Sequence, residues 1–297
     1  MAAFSTQASA QVTDPKVWAW DFPMYMEINV EPGQEALTCQ MHYFQEVKEG
    51  EGLLKKTMIW YDTKIDAPGK EKTVIDEYGK KIEVPNALII PLAKEAKVKK
   101  GDILLTHSKY HERQRAIVID VPMPNEPVVC FLDDRWPDKV DSSSLPEKLK
   151  GEQLKPGSYN VIKDGNFVSG AQVAYRRDGE WKFGVIMQIS GDKMLVSGFA
   201  SRLDCVKKSD CKLIPFKEKI KKGDRVRCVD LDCYKDGYTV VQVDMEHGHI
   251  WTQADGSKYT HCFGLADVTK VLDKDSPLAY AFLPPPHSLG LPPQSCR

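Results

Sequence analysis

The sequence has no surplus of charge of either sign: 41 Lys and Arg stand against 42 Asp and Glu, a net charge of −1 over 297 residues. That balance argues against a general nucleic-acid binder, whose affinity draws on a positive surplus to displace counterions. A local basic face is still compatible with it. Long hydrophobic runs are missing too, since no window approaches the about 20 consecutive apolar residues that cross a bilayer. No Gly-rich loop leads into a helix, and there is no nucleophile elbow and no His-Glu-x-x-His, so neither catalysis nor a cofactor is expected. Residues 1–17 lack the basic start and apolar core of a secretory signal and read as a disordered leader. Without such a signal, the eight cysteines are expected as free thiols in an intracellular protein, nuclear or cytoplasmic.

A tight pairing of metal ligands is also lacking. Cys205, Cys211, Cys228, Cys233, His247, His249, His261 and Cys262 crowd the last third of the chain. Zinc asks for four converging ligands, commonly with a C-x2–4-C pair. Cys228 and Cys233 have four residues between them, Cys205 and Cys211 five, and His261 and Cys262 point to opposite faces of any strand. Scattered structural thiols are the expectation, with no metal. The acidic run Asp133, Asp134, Asp138 and Asp141 reads as a solvated loop.

What the chain does have is repetition. Lys99-Lys100-Gly101-Asp102 recurs as Lys221-Lys222-Gly223-Asp224, each after an Ile-Pro, and the two glycines are 122 residues apart. A long period marks a chain built from duplicated units. Between these points short alternating or β-branched runs are separated by Gly, Asp and Pro turns: Met24 to Val30, Leu37 to Phe44, Lys56 to Tyr61, Ala116 to Val121 and Val128 to Asp133. The hairpin signal Asp178-Gly179 sits between Gln172 to Arg177 and Glu180 to Ile189. This predicts an all-β protein of four small five-stranded barrels in two duplicated halves. The expected divisions are residues 18–95, 96–140, a linker at 141–156, then 157–216 and 217–273. Residues 274–297, with Pro284-Pro285-Pro286 and Pro292-Pro293, are expected to form a disordered proline-rich tail. The apolar side chains are expected in separate little interiors strung in a row.

The third unit resembles the Tudor family of five-stranded barrels, through Val173-Ala174-Tyr175-Arg176-Arg177-Asp178-Gly179-Glu180-Trp181-Lys182-Phe183-Gly184-Val185. The first unit adds Val74-Ile75-Asp76-Glu77-Tyr78-Gly79, similar to that family's acidic-Tyr-Gly turn, and the second has Phe131-Leu132-Asp133-Asp134-Arg135-Trp136 at the same place. The third unit has Gly198-Phe199-Ala200 there instead, and the fourth shows no such turn. The Lys-Lys-Gly-Asp openings look equally like KOW or agenet barrels. The Tudor resemblance implies an aromatic cage for methylated lysine or arginine, in which ring faces attract a bulky cation. The matching positions are Tyr61 and Tyr78 in the first unit, Phe131 and Trp136 in the second, and Trp181, Phe183 and Phe199 in the third. The alternative for each is a place in the barrel core.

The expected role is a non-enzymatic binding module or scaffold for a protein or peptide tail, a methyl-lysine reader among the possibilities. Two other readings stay open. One is nucleic-acid binding through the basic turns and exposed aromatics. The other is a structural part of a larger assembly. No membrane partner is expected.

Overall fold

The computed structural model describes residues 21–39, 59–77, 79–133, 151–177, 180–198, 203–216, 220–228, 238–258 and 260–270. The expected leader and tail lie outside these residues. So do residues 141–150 of the expected linker.

Twenty short strands form four antiparallel five-stranded sheets set in a ring. The first holds β1 (Glu35–Cys39), β2 (Trp60–Ala67), β3 (Lys72–Glu77), β4 (Lys80–Pro85) and β5 (Ile89–Pro91). The second holds β6 (Ile103–His107), β7 (Arg113–Met123), β8 (Glu126–Phe131), β9 (Glu152–Gln153) and β10 (Asn160–Ile162). The third holds β11 (Gln172–Arg177), β12 (Glu180–Ser190), β13 (Lys193–Gly198), β14 (Leu203–Lys207) and β15 (Cys211–Ile214). The fourth holds β16 (Arg225–Cys228), β17 (Tyr238–Asp244), β18 (His249–Ala254), β19 (Thr260–Gly264) and β20 (Val268–Lys270).

All four share one strand order. The first four strands make a meander, and the fifth returns to pair with the first. The second sheet takes β9 from the segment expected as linker and β10 from the segment expected to open the third unit. Strands of two and three residues carry too little alternation to show in a sequence. Met24 to Val30, which reads as a strand, is irregular chain: Phe22, Met24 and Val30 are buried, and Met24 O accepts from Ala87 N at 3.1 Å.

One turn recurs four times and fixes each unit. In Glu31-Pro32-Gly33-Gln34, Lys99-Lys100-Gly101-Asp102, Val168-Ser169-Gly170-Ala171 and Lys221-Lys222-Gly223-Asp224, the fourth residue's N–H donates to the first residue's carbonyl at 3.0–3.2 Å. The glycines have φ of +79°, +86°, +89° and +91°. A positive φ at the third position is the mark of a type II turn and favours glycine there. Each glycine N–H then donates to a carbonyl of its unit's second strand, at Ile65, Val118, Ile186 and Val240. The N–H of the same four residues donates back to the residue after the glycine, at 2.9 Å in every case. Just beyond, the second strand bulges against the third: after Ile65, after Val118, after Ile186 and after Val240. A bulge bends a strand and raises its twist. The clamped turn and the bulge together curl every unit the same way.

The units do not keep separate interiors. One contiguous apolar cluster takes Ile65 and Leu88 from the first sheet, Leu105 and Leu132 from the second, Val173 and Leu195 from the third, and Val240 and Val268 from the fourth. Among the described residues, the second unit alone has a further cluster of its own, formed by Leu104, Ala116, Val118, Val129, Leu154 and Tyr159. Alternation along β6 and β7 explains the division. Ile103, Leu105 and Ile117 face the shared cluster, while Leu104, Ala116 and Val118 face the private one. The expectation of interiors strung in a row is corrected on this point: strands apolar on both faces bury both of them against neighbours.

Polar groups also tie the sheets. Asn160 accepts from Ala93 N through Oδ1 and donates to Pro91 O through Nδ2, both at 2.8 Å, joining the first and second sheets. Arg115 donates to Gln172 Oε1 at 2.8 Å, joining the second and third, and its guanidinium lies over the Phe216 ring. Asp133, expected in a solvated loop, instead receives Arg115 Nε at 2.9 and 3.1 Å, Arg115 N at 2.7 Å and Arg113 Nη1 at 3.2 Å. Asp134, Asp138 and Asp141 lie outside the described residues.

Candidate functional site

The first sheet carries a partly open cavity of about 250 Å³, lined by Thr38, Cys39, Tyr61, Asp62, Thr63, Lys64, Asp76, Glu77 and His111. Strand pairing assembles most of this wall. Thr38 faces Tyr61 across β1 and β2, and Lys64 faces Asp76 across β2 and β3. The two hydroxyls are committed to the frame: Thr38 Oγ1 donates to Leu88 O at 2.9 Å and Thr63 Oγ1 to Asp76 O at 2.8 Å. The Cys39 thiol is fully buried, and burial lifts its pKa well above the ordinary thiol value, which makes it an unreactive wall atom.

The charged lining holds three acidic residues, Asp62, Asp76 and Glu77, against one lysine, Lys64. Asp76 accepts from Gly79 N at 2.7 Å and from Lys81 Nζ at 3.2 Å, and these two bonds hold its pKa below the usual carboxylate value. Lys81 is shared with Asp66 at 2.6 Å. Asp62 has both oxygens near His111 Nδ1, at 2.9 and 3.1 Å.

His111 belongs to the second unit, so the cavity lies where two sheets meet. Behind it, His107 has Nε2 3.6 Å from Glu35 and Nδ1 3.9 Å from Asp62. Burial works against a charged His107, yet Glu35, Asp62 and the Ser108 carbonyl outweigh it and raise its pKa. The Glu35 pKa is lowered in turn, chiefly by the neighbouring His107.

Of the candidate cage residues, Tyr61 is half-buried on β2 and lines this cavity. Phe131 ends β8, half-buried, and packs against the second unit's private cluster. Phe183 is half-buried on β12, paired with Ala174. Trp181 lies on the same strand opposite Arg176, and its side chain is outside the described set. Tyr78, Trp136 and Phe199 fall outside the described residues.

A ring cluster that the sequence did not point to occurs in the fourth unit. Tyr238 meets His261 at 5.5 Å and Phe263 at 5.4 Å between centroids. Tyr238 and Phe263 are buried there, which makes the cluster core. Nearby His249 is buried, and that burial depresses its pKa to about 4. Among the described residues, no three His, Cys, Asp or Glu side chains are grouped as a metal would require. None of the described helices is long and apolar enough to cross a membrane.

The basic turns are structural parts first. Lys99 N and Lys221 N donate to the Asp102 and Asp224 carboxylates at 2.9 and 3.0 Å, and the Lys100 ammonium pairs with Glu246 of the fourth unit.

Sequence reasoning singled out Tyr61, and it quoted Asp76 and Glu77 within the acidic-Tyr-Gly turn. Asp62 and His111 were missed. Asp62 had a signal, its position beside Tyr61 on a β-rich strand. His111 had none, because it is 49 residues away in sequence. No protein-family model matches the chain, and no curated protein is significantly similar to it.

Proposed function

We propose that the protein is a non-enzymatic binding module of Tudor/SH3-like units that recognises a protein segment through a basic side chain. The lysine or arginine, methylated or unmodified, enters the cavity of the first unit. The strand order supports the fold part of this reading. Each unit has a meander of four strands, a bent second strand and a fifth strand returning to the first. In the first and third units a 3-10 turn, Asn86–Leu88 and Lys208–Asp210, leads into that fifth strand. Five short antiparallel strands to a unit is what the Tudor resemblance implies.

The observation that carries the ligand part is the lining of the cavity: Tyr61 with three acidic residues, Asp62, Asp76 and Glu77, against one lysine, Lys64, and His111. An aromatic face and carboxylates both favour a cation, the ring through its quadrupole and the carboxylates through charge-assisted hydrogen bonds. At about 250 Å³ the space is below the roughly 300–1,000 Å³ of drug-sized ligand sites, and it suits one long side chain.

A peptide array carrying unmodified and methylated Lys and Arg tests the reading, followed by titration of the best binder. Basic peptides are expected to bind. Tyr61→Ala is expected to weaken them about fivefold to thirtyfold, the equivalent of about 1–2 kcal/mol, and Asp62→Asn by a similar factor. Absence of binding by every basic peptide, or unchanged affinity in both variants, refutes it.

A further inference from the structure

The wall of the cavity that comes from the second unit is a short, firmly held segment, Ser108-Lys109-Tyr110-His111-Glu112. Its own ends are tied, with Ser108 N donating to Glu112 O at 2.8 Å and His111 N to Ser108 O at 2.9 Å. It is also stitched to the first sheet. Asp62 N donates to His111 O at 2.9 Å, and Tyr61 and Glu112 form an antiparallel bridge. His111 is held at φ +72°. A non-glycine residue is strained in that region, and persists there only where its surroundings over-determine it.

This construction displays Tyr110. With 72% of its surface accessible, it is the most exposed large hydrophobic side chain among the described residues, one position from the cavity wall. Single exposed apolar residues are common, but this one stands on a segment whose backbone is fixed on both sides. Its ring face also already holds a cation: Lys109 Nζ lies 5.1 Å from the centroid. The balance of surrounding charge fits the same ligand, with Asp62, Asp76 and Glu77 against Lys64 in the cavity and exposed Glu112 two residues from Tyr110.

We propose that Tyr110 and the first unit's cavity form one ligand surface across two units, and that its occupant is an extended peptide with two basic side chains. One enters the cavity against Tyr61 and Asp62. The other takes the place of Lys109 over the Tyr110 ring. Basic residues at alternate positions present both side chains on one face of an extended peptide, about 7 Å apart. The inference rests on the cavity being a cation site, as proposed above.

The test is a fluorescence-anisotropy titration of the full chain with two labelled peptides. One has arginine at two alternate positions in a glycine background, and the other has the second arginine replaced by glycine. The wild type is expected to prefer the two-arginine peptide about fivefold to tenfold. Tyr110→Ala is expected to erase that preference while leaving the one-arginine affinity unchanged. Tyr110→Phe should keep it, and Lys109→Ala should increase it by removing the internal competitor.

A preference that survives Tyr110→Ala while Tyr61→Ala still weakens binding overturns the two-unit surface and leaves the cavity reading standing. Failure of both peptides to bind the wild type overturns both. A Tyr110-dependent affinity for an acidic peptide or a single-stranded oligonucleotide, in place of the arginine peptides, overturns the assigned occupant.

Discussion

Arg115→Ala is expected to destabilise the protein by about 3–5 kcal/mol, read as a lower urea midpoint with an unchanged slope. The Arg115 and Asp133 side chains are 3% and 11% exposed, so removing the guanidinium strands a carboxylate that water barely reaches. Asp133 would keep Arg113 Nη1 and the backbone N–H of residue 115, which is why the loss stays within that range. Gln172 would lose its donor from Arg115, and the contact between the second and third sheets would weaken. The paired replacement Arg115→Met with Asp133→Leu is expected to cost much less than the single change, since no buried charge is left alone. A single-variant loss under about 1 kcal/mol would show that the pair is not buried as described.

The same pair sets an acid limit. Burial by itself would raise the Asp133 pKa. The charges of Arg115 and Arg113 and the hydrogen bonds from Arg115 outweigh it, and the folded-state value falls below that of the unfolded chain. A depressed carboxylate adds stability that is present above its unfolded value, about 3.9, and that is lost as pH falls through the folded value. The advantage of wild type over the paired replacement is therefore expected to shrink below about pH 4.

Gly264→Ala is expected to be nearly as severe, at about 3 kcal/mol, for a different reason. A β-carbon on Gly264 would fall within the van der Waals envelope of the Leu132 backbone carbonyl in the second sheet. The Leu132 backbone cannot move aside freely, because its N–H donates to Arg115 O at 2.8 Å. The Leu132 side chain is fully buried near Gly248 of the fourth unit. Gly223→Ala is the control. No atom lies within 4 Å of where its β-carbon would stand, so only the positive φ resists substitution, at about 1–2 kcal/mol. Denaturant unfolding of the two variants separates close packing between sheets from backbone conformation. Equal losses would mean that the second and fourth sheets are not in contact at this point.

These contacts mark where the sequence stops being readable. Strand content and the count of four sheets were legible, because paired runs such as Gln172 to Arg177 with Glu180 to Ser190, and β-rich runs such as Ala116 to Val121, are local signals. The recurring turn was half legible. Lys99-Lys100-Gly101-Asp102 and Lys221-Lys222-Gly223-Asp224 stand out as text, but Glu31-Pro32-Gly33-Gln34 and Val168-Ser169-Gly170-Ala171 share only the glycine. The backbone dictates that residue alone, and the flanking positions are free to change. The bulges after Ile65, Val118, Ile186 and Val240 left no mark, since ordinary residues occupy them.

The shared core was hidden because burial on both faces of β6 and β7 looks in sequence like an ordinary apolar strand. Of the residues that line the cavity, the sequence marks Tyr61 as a candidate and Asp76 and Glu77 only as part of a turn motif, and it is silent at His111. No local pattern announces that a loop of one unit will close the cavity of another.

Native-state hydrogen exchange at the four clamped turns tests the central claim, that four copies of one unit are fused around a common interior. The amides to follow are Gly33, Gly101, Gly170 and Gly223, with their reciprocal partners Ile65, Val118, Ile186 and Val240. All eight are expected to exchange only through global unfolding, with one common opening free energy and one common denaturant dependence. Four separate pairs of values, one for each sheet, would mean that the units open independently, and would contradict a shared core.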